Sequence, residues 1–181
     1  MERGRIVIIT GSPGTGKTTT ATMVAKEVSM EKSVHMHTDD FYKYLSKGAI
    51  PPHLPQSNEQ NLIVIEAFLY AAKRFARGGY DVVVDGIIGP WFLGPWIEAA
   101  LEGYEVHYII LRASKEITMK RAVERSKLDR RTNVELVETM WEQFHSLNGY
   151  ERYVLETTGL SVAETVSMIQ KAICKRTNLL V

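Results

Sequence analysis

Gly11-Ser12-Pro13-Gly14-Thr15-Gly16-Lys17-Thr18 is the stretch whose reading decides the fold. Its spacing is GxxxxGK[ST] without departure, and the motif carries meaning only between a strand and a helix. Both are present. Ile6-Val7-Ile8-Ile9 is a β-branched run, short enough for a buried strand, and Thr18 to Val28 reads as a helix. Glycines let the backbone turn tightly and approach an anion. Successive N–H groups then converge on anionic oxygens, and the helix starting at Lys17 adds the positive end of its dipole. Lys17 supplies a mobile charge for the outer phosphates, the Thr18 hydroxyl suits Mg²⁺, and Gly11 to Gly16 with Thr19 complete the cradle. A glycine-rich turn with an exposed lysine is the plain alternative, and it would not require this strand–loop–helix context.

Working outward, apolar runs and helical stretches alternate. Val34–His37 is a second, weaker strand; Val82–Val84 and Val106–Leu111 are the third and fourth; Tyr153–Leu155 is a short fifth. Ser57-Asn58-Glu59-Gln60 has capping-box spacing and opens a long helix to about Arg77, where Gly78-Gly79 stops it. Ser114 caps a helix carrying Arg121 and Arg125, Thr132–Glu135 is a further capping box, and Ser161–Glu164 opens the last helix. Strands that are apolar throughout and separated by helices describe an α/β chain with a parallel sheet covered on both faces. Ligands in such sheets bind beyond the carboxyl ends of the strands.

Unusual residues stand at those ends. Asp39 and Asp40 follow the second strand in His37-Thr38-Asp39-Asp40-Phe41-Tyr42; a carboxylate there can take the proton of an attacking hydroxyl, or simply terminate a turn. Asp85 follows Val82-Val83-Val84, an apolar strand ending in an acid, the pattern of a carboxylate that holds Mg²⁺, often through water; the adjacent Gly86 leaves room for substrate instead. Two Gly-Pro-Trp tripeptides, Gly89–Trp91 and Gly94–Trp96, are either a substrate wall or packed apolar bodies. Arg130 and Arg131 fall in a polar break from about 125 to 133, placed to act as a lid on the transferring phosphate; a solvated, salt-bridged surface explains arginines equally well.

Composition narrows the partners. A formal net charge of +1 gives no electrostatic footprint for nucleic acid or an acidic membrane surface. No stretch is long and apolar enough to span a bilayer. One cysteine, Cys174, forms no internal disulfide; it reads as a small buried hydrophobe and suits a reducing cytoplasm. The histidines lack HxxxH and HExxH spacing, so no zinc site is indicated, and His35 and His37 share one side of their strand in core or supporting roles.

On Gly11–Thr18, Thr38–Tyr42, Asp85-Gly86 and the arginines between Ala113 and Arg131, the chain resembles small P-loop kinases: gluconate, shikimate and uridine kinases, chloramphenicol phosphotransferase and zeta-toxin-like proteins. The resemblance implies a three-layer P-loop NTPase fold with five parallel strands in order 2-3-1-4-5, a single domain over 1–181, an acceptor-binding insert at about 41–60 and a lid at about 125–133. It implies ATP and Mg²⁺, with transfer of the γ-phosphoryl group to a small-molecule hydroxyl. Asp39 takes the position of the catalytic aspartate and Arg121 that of an adenine-stacking arginine, while Arg130 or Arg131 is the lid cation. The loop Thr157-Thr158-Gly159 completes the adenine pocket, with Thr158 its candidate contact. The expected partner is that acceptor, with no nucleic acid or membrane, for a monomer or homodimer. The chain departs from the family in having Arg131-Thr132 where a shikimate-kinase lid has Arg-Pro, and its Lys43–Gln56 stretch matches no known acceptor pattern. A nucleoside or nucleotide kinase and a non-catalytic ATP-driven switch are the alternatives.

Overall fold

A computed structural model describes residues 3–29, 31–125 and 130–180, the side chains of 125 and 130–133 excepted. Five strands form one parallel sheet: β1 (Ile6–Thr10), β2 (Ser33–His37), β3 (Asp81–Asp85), β4 (Val106–Arg112) and β5 (Val154–Glu156), in order β2-β3-β1-β4-β5. β1 lies centrally, pairing Ile6 with Val82 on one side and with Val106 on the other. Every residue of β1 is fully buried, as a central strand covered on both faces must be.

Helices α1 (Lys17–Glu27), α2 (Thr38–Tyr42), α3 (Asn58–Arg77), α4 (Gly94–Leu101), α5 (Lys115–Arg125), α6 (Arg130–His145) and α7 (Val162–Lys175) complete the order. The strand period of two sorts the core. Ile6, Ile8, Val82 and Val84 face Phe68, Leu69 and Ala72 of α3 and Trp96 of α4. Val7, Ile9, Val83 and Ile109 face Ala21 and Val24 of α1 and Ile169 of α7. Two buried polar side chains fix the chain beyond β3: Thr10 Oγ1 accepts from the Ile88 N–H at 2.9 Å, and Tyr108 donates its hydroxyl to the Ile88 carbonyl at 2.7 Å.

The element order and the sheet order are those expected. β2 is the weaker strand because it lies at the sheet edge, where all five of its residues are only half-buried. The Ser161 capping box forms in full, Ser161 accepting from the Glu164 N–H and Glu164 Oε2 accepting from the Ser161 N–H at 2.8 Å. The Ser57 box does not form, although α3 begins where it should. A preceding 3-10 turn, Pro55–Ser57, puts Ser57 itself in a helical conformation, and its hydroxyl turns inward to the Pro52 and Leu54 carbonyls at 2.9 and 2.7 Å. α6 starts at Arg130, before the Thr132 box. Asp39 and Asp40 follow β2 directly, as expected, and lie in the helical turn α2. Cys174 is exposed, contrary to the buried reading, because Ile169, Ala172 and Ile173 form the inward face of α7 and the next residue points away from it.

Candidate active site

The phosphate loop closes the gap between β1 and α1. Gly14 has φ +86°, and a β-carbon there would strike the Thr118 carbonyl of α5, so both the conformation and the space demand glycine. Thr15 Oγ1 and Lys17 Nζ each donate to the Ser12 carbonyl at 2.9 Å, bending the loop over its own backbone. Burial lowers the Lys17 ammonium to about 8, against the pull of Asp85 and Asp39. Its side chain is nonetheless only half-buried by accessible surface and remains reachable.

Thr18 donates its hydroxyl to Asp85 Oδ2 at 2.6 Å, which joins the loop to the end of β3. Asp85 is fully buried. Its other oxygen lies 2.6 Å from His35 Nε2. His37 Nδ1 stands 3.0 Å from Oδ2, close enough for charge attraction yet off the line of a hydrogen bond. Burial works to raise the Asp85 carboxyl and is outweighed by His35, His37 and Thr18, which hold it well below the usual carboxylate range. The opposite nitrogen of His37 lies 3.2 Å from Asp39 Oδ2. Asp39 and then Asp85 raise the His37 imidazole to about 10, so it is a cation at neutral pH. That cation holds Asp39 below its ordinary value. The Asp39 side chain is 64% exposed and therefore open to a reactant. Asp40 pairs instead with Lys43 at 2.6 Å on the surface.

Gly86 makes room for a side chain of the protein: a β-carbon there would collide with the Thr38 hydroxyl. Thr38 and Asp39 open a cavity of about 330 Å³ walled by Tyr42, Asn61 and Trp91 and by Met140 and Gln143 of α6. Asn61 organises one wall. It accepts from the Tyr42 hydroxyl at 3.1 Å and donates to the Pro52 carbonyl at 2.8 Å and to Ser57 Oγ at 2.9 Å. Gln60 exchanges two 2.8 Å hydrogen bonds with the backbone of Ile50. These contacts tie the 43–56 stretch to α3. The two Gly-Pro-Trp tripeptides part company: Trp96 is fully buried in the core, whereas Trp91 lines the cavity and is 48% exposed.

A second concavity of about 180 Å³ lies on the other side of the loop and brings together Arg121, Gly16, Thr19, Thr157 and Leu160. Thr158 does not line it; its hydroxyl accepts from the Ser114 N–H at 2.9 Å. Arg112 is engaged by Glu151 and Glu156 at 2.9 and 2.6 Å. The side chains of Arg130 and Arg131, and the polar break 126–129, lie outside the described residues.

Sheet order, phosphate loop and flanking clefts place this chain among the small P-loop kinase folds. A family model described as an AAA domain matches residues 7–141, most of the chain, and the chain belongs to that family. It is 26% identical over 190 residues to a cytidylate kinase of Pyrobaculum calidifontis, covering 96% of this chain and 95% of that one. Among solved structures it is similar to the APS kinase of Mycobacterium tuberculosis, with TM-score 0.72 at 16% identity and coverage of 96% and 99%. A gluconokinase of Sinorhizobium meliloti superposes with TM-score 0.65 at 17% identity, covering 97% and 94%.

The residues that sequence reading passed over are His37 as partner of Asp39, and Asn61, Asn58 and Gln143 at the cavity. For His37 a signal existed: His35 and His37, at strand spacing, share a side and are followed at once by Asp39. For the amides there was none, since they sit on helix faces whose partner is known only after folding.

Proposed function

We propose that this chain is an ATP-dependent kinase that transfers the γ-phosphoryl group to a hydroxyl of a small molecule. One observation carries the reading: Asp39, ionised beside His37, stands between the phosphate loop and a walled cavity of about 330 Å³. A protein that used the nucleotide only as a switch has no need of a walled cavity with a carboxylate at its mouth.

The phosphate loop binds the polyphosphate through its N–H groups and Lys17, and the concavity beside Arg121 and Thr19 takes the base. Asp39 accepts the proton of the acceptor hydroxyl as its oxygen bonds to the γ-phosphorus and the bond to the β-phosphate oxygen breaks, leaving ADP. The transition state is loose, so positioning matters more than base strength, and a carboxylate of low pKa suffices. Mg²⁺ fits the oxygen donors present: the Thr18 hydroxyl as direct ligand and the Asp85 carboxylate, 2.6 Å from it, through water. Among the described residues no group of three or more acids, histidines or cysteines forms a metal cage, which accords with a cation that is held largely by phosphates and water. When bound, Mg²⁺ would neutralise charge on the β- and γ-phosphates.

The test is ADP release with ATP·Mg²⁺ against a panel of hydroxyl compounds, run beside Lys17→Ala. Acceptor-dependent ADP release that disappears in the variant supports the assignment. ATP binding without release for any acceptor assigns the chain to the switch class.

A further inference from the structure

We infer that the acceptor is an uncharged alcohol bearing a planar ring, of the nucleoside kind, and is neither a phosphate ester nor a carboxylate. The inference rests on the kinase reading and goes beyond it to the class of substrate. It departs from what the name of the cytidylate kinase relative would suggest.

The argument begins with charge. Among the described residues neither lysine nor arginine lines the acceptor cavity; its one basic side chain is the His53 imidazole, on an exposed turn. A phosphate monoester or a carboxylate taken out of water needs charged donors, for which the guanidinium fork is best suited. An anion buried without them loses several kcal/mol, roughly, of solvation. The Asp39–His37 pair presents its negative end to the cavity, since Asp39 lines it and His37 lies behind, and that orientation disfavours a second anion there. The N-terminus of α3 would offer a partial positive charge, but its first turn carries Glu59, which answers that dipole within the protein.

What the walls do offer suits a flat, uncharged molecule. The Trp91 indole is held from behind by Phe144, ring centroids 5.4 Å apart, and by Gly89, where a β-carbon would strike the ring. It is a preformed aromatic wall with nearly half its surface free. Ile65, Ile87 and Met140 complete an apolar slot. Asn58 and Gln143 reach the same cavity, and neither side-chain amide is hydrogen-bonded to any described residue. An amide presents a donor and an acceptor side by side, which matches the edge of a heterocyclic ring. The adjoining Asn61 has both ends engaged by Tyr42, Pro52 and Ser57, so it shapes the site without contacting ligand. Apolar walls with a few free polar groups are the usual build of a site for a small uncharged ligand.

The experiment uses the full chain with ATP·Mg²⁺. ADP release is measured with cytidine, uridine and adenosine, with the three corresponding 5′-monophosphates and with gluconate. ATP binding is measured separately by titration. The expected result is turnover with at least one nucleoside, at a kcat/KM roughly 100-fold or more above that of its 5′-monophosphate. Trp91→Ala should lower that kcat/KM about ten-fold or more with ATP affinity unchanged. Asn58→Arg, a change at an exposed position, should shrink the preference over the monophosphate by about ten-fold, because it adds a cation to the wall. A preference for a monophosphate or for gluconate overturns the inference and leaves the kinase standing; His53→Ala would then show whether that imidazole is the cation. Turnover on another hydroxyl compound but on no nucleoside also overturns it. Failure to bind ATP, or ATP binding with no ADP release for any acceptor, would instead strike the kinase reading itself.

Discussion

The phosphate loop and the acceptor cavity are neighbours built in opposite ways. The loop is one run of consecutive residues, Gly11–Thr18, whose groups bond mainly to each other, as Thr15 and Lys17 do to Ser12. The cavity gathers side chains from α2, the turn before α3, α3 itself, the Trp91 turn and α6, residues 38 to 143. A phosphate loop holds anionic oxygens with consecutive backbone N–H groups, so its form is local. The cavity must differ with each acceptor, and is assembled where several elements meet and each can vary without disturbing the sheet. Asp39 joins the two regions through His37 and Asp85.

The two tryptophans give the largest expected separation. Trp96→Ala should destabilise the fold by about 3–5 kcal/mol, as expected for a fully buried indole. Trp91→Ala should cost no more than about 1 kcal/mol and act on acceptor KM. Thermal or urea unfolding alongside kinetics would decide, and equal losses of stability would mean that the cavity wall is core. Lys17→Ala should then lower kcat by roughly 10²–10³ without moving the unfolding midpoint, since among the described residues its side chain hydrogen-bonds the Ser12 carbonyl alone. A variant that unfolds would show the loop to be part of the scaffold.

Asp39→Asn tests the joint between the regions. It should keep ATP binding and lose transfer by roughly 10²-fold, whereas Asp40→Asn, whose carboxylate pairs with Lys43 at the surface, should change turnover little. A larger loss at Asp40 would reverse the assignment of the base. Asn61→Ala, which leaves the Tyr42 hydroxyl without its acceptor and takes one donor each from the Pro52 carbonyl and Ser57 Oγ, which keep their hydrogen bond to each other, should cost about 1–3 kcal/mol. Its kinetic signature should be a raised acceptor KM with an unchanged ATP dissociation constant, measured by titration. If ATP affinity falls in step, the two regions are not independent.

Sequence by itself determined what local chemistry and simple periodicity determine. The loop follows from glycine, lysine and threonine at set spacing, the central strands from short apolar runs, the Ser161 box from four consecutive residues. The order of the sheet came with the resemblance that those motifs carry. Tertiary structure decided everything that depends on what lies opposite. Ser57 and Ser161 head equivalent tetrapeptides, yet only Ser161 caps its helix, because Pro55 leads a tight turn that points the Ser57 hydroxyl at Pro52 and Leu54. Trp91 and Trp96 share a tripeptide, and one lines a cavity while the other fills the core. His35 and His37 become partners of Asp85 only because β2 lies beside β3 in register, His37 opposite Asp85. The reason is common to all of these: a cap or a phosphate loop is satisfied by atoms within a few residues, whereas burial, charge pairing and the lining of a cavity are set by atoms that only the folded chain brings near.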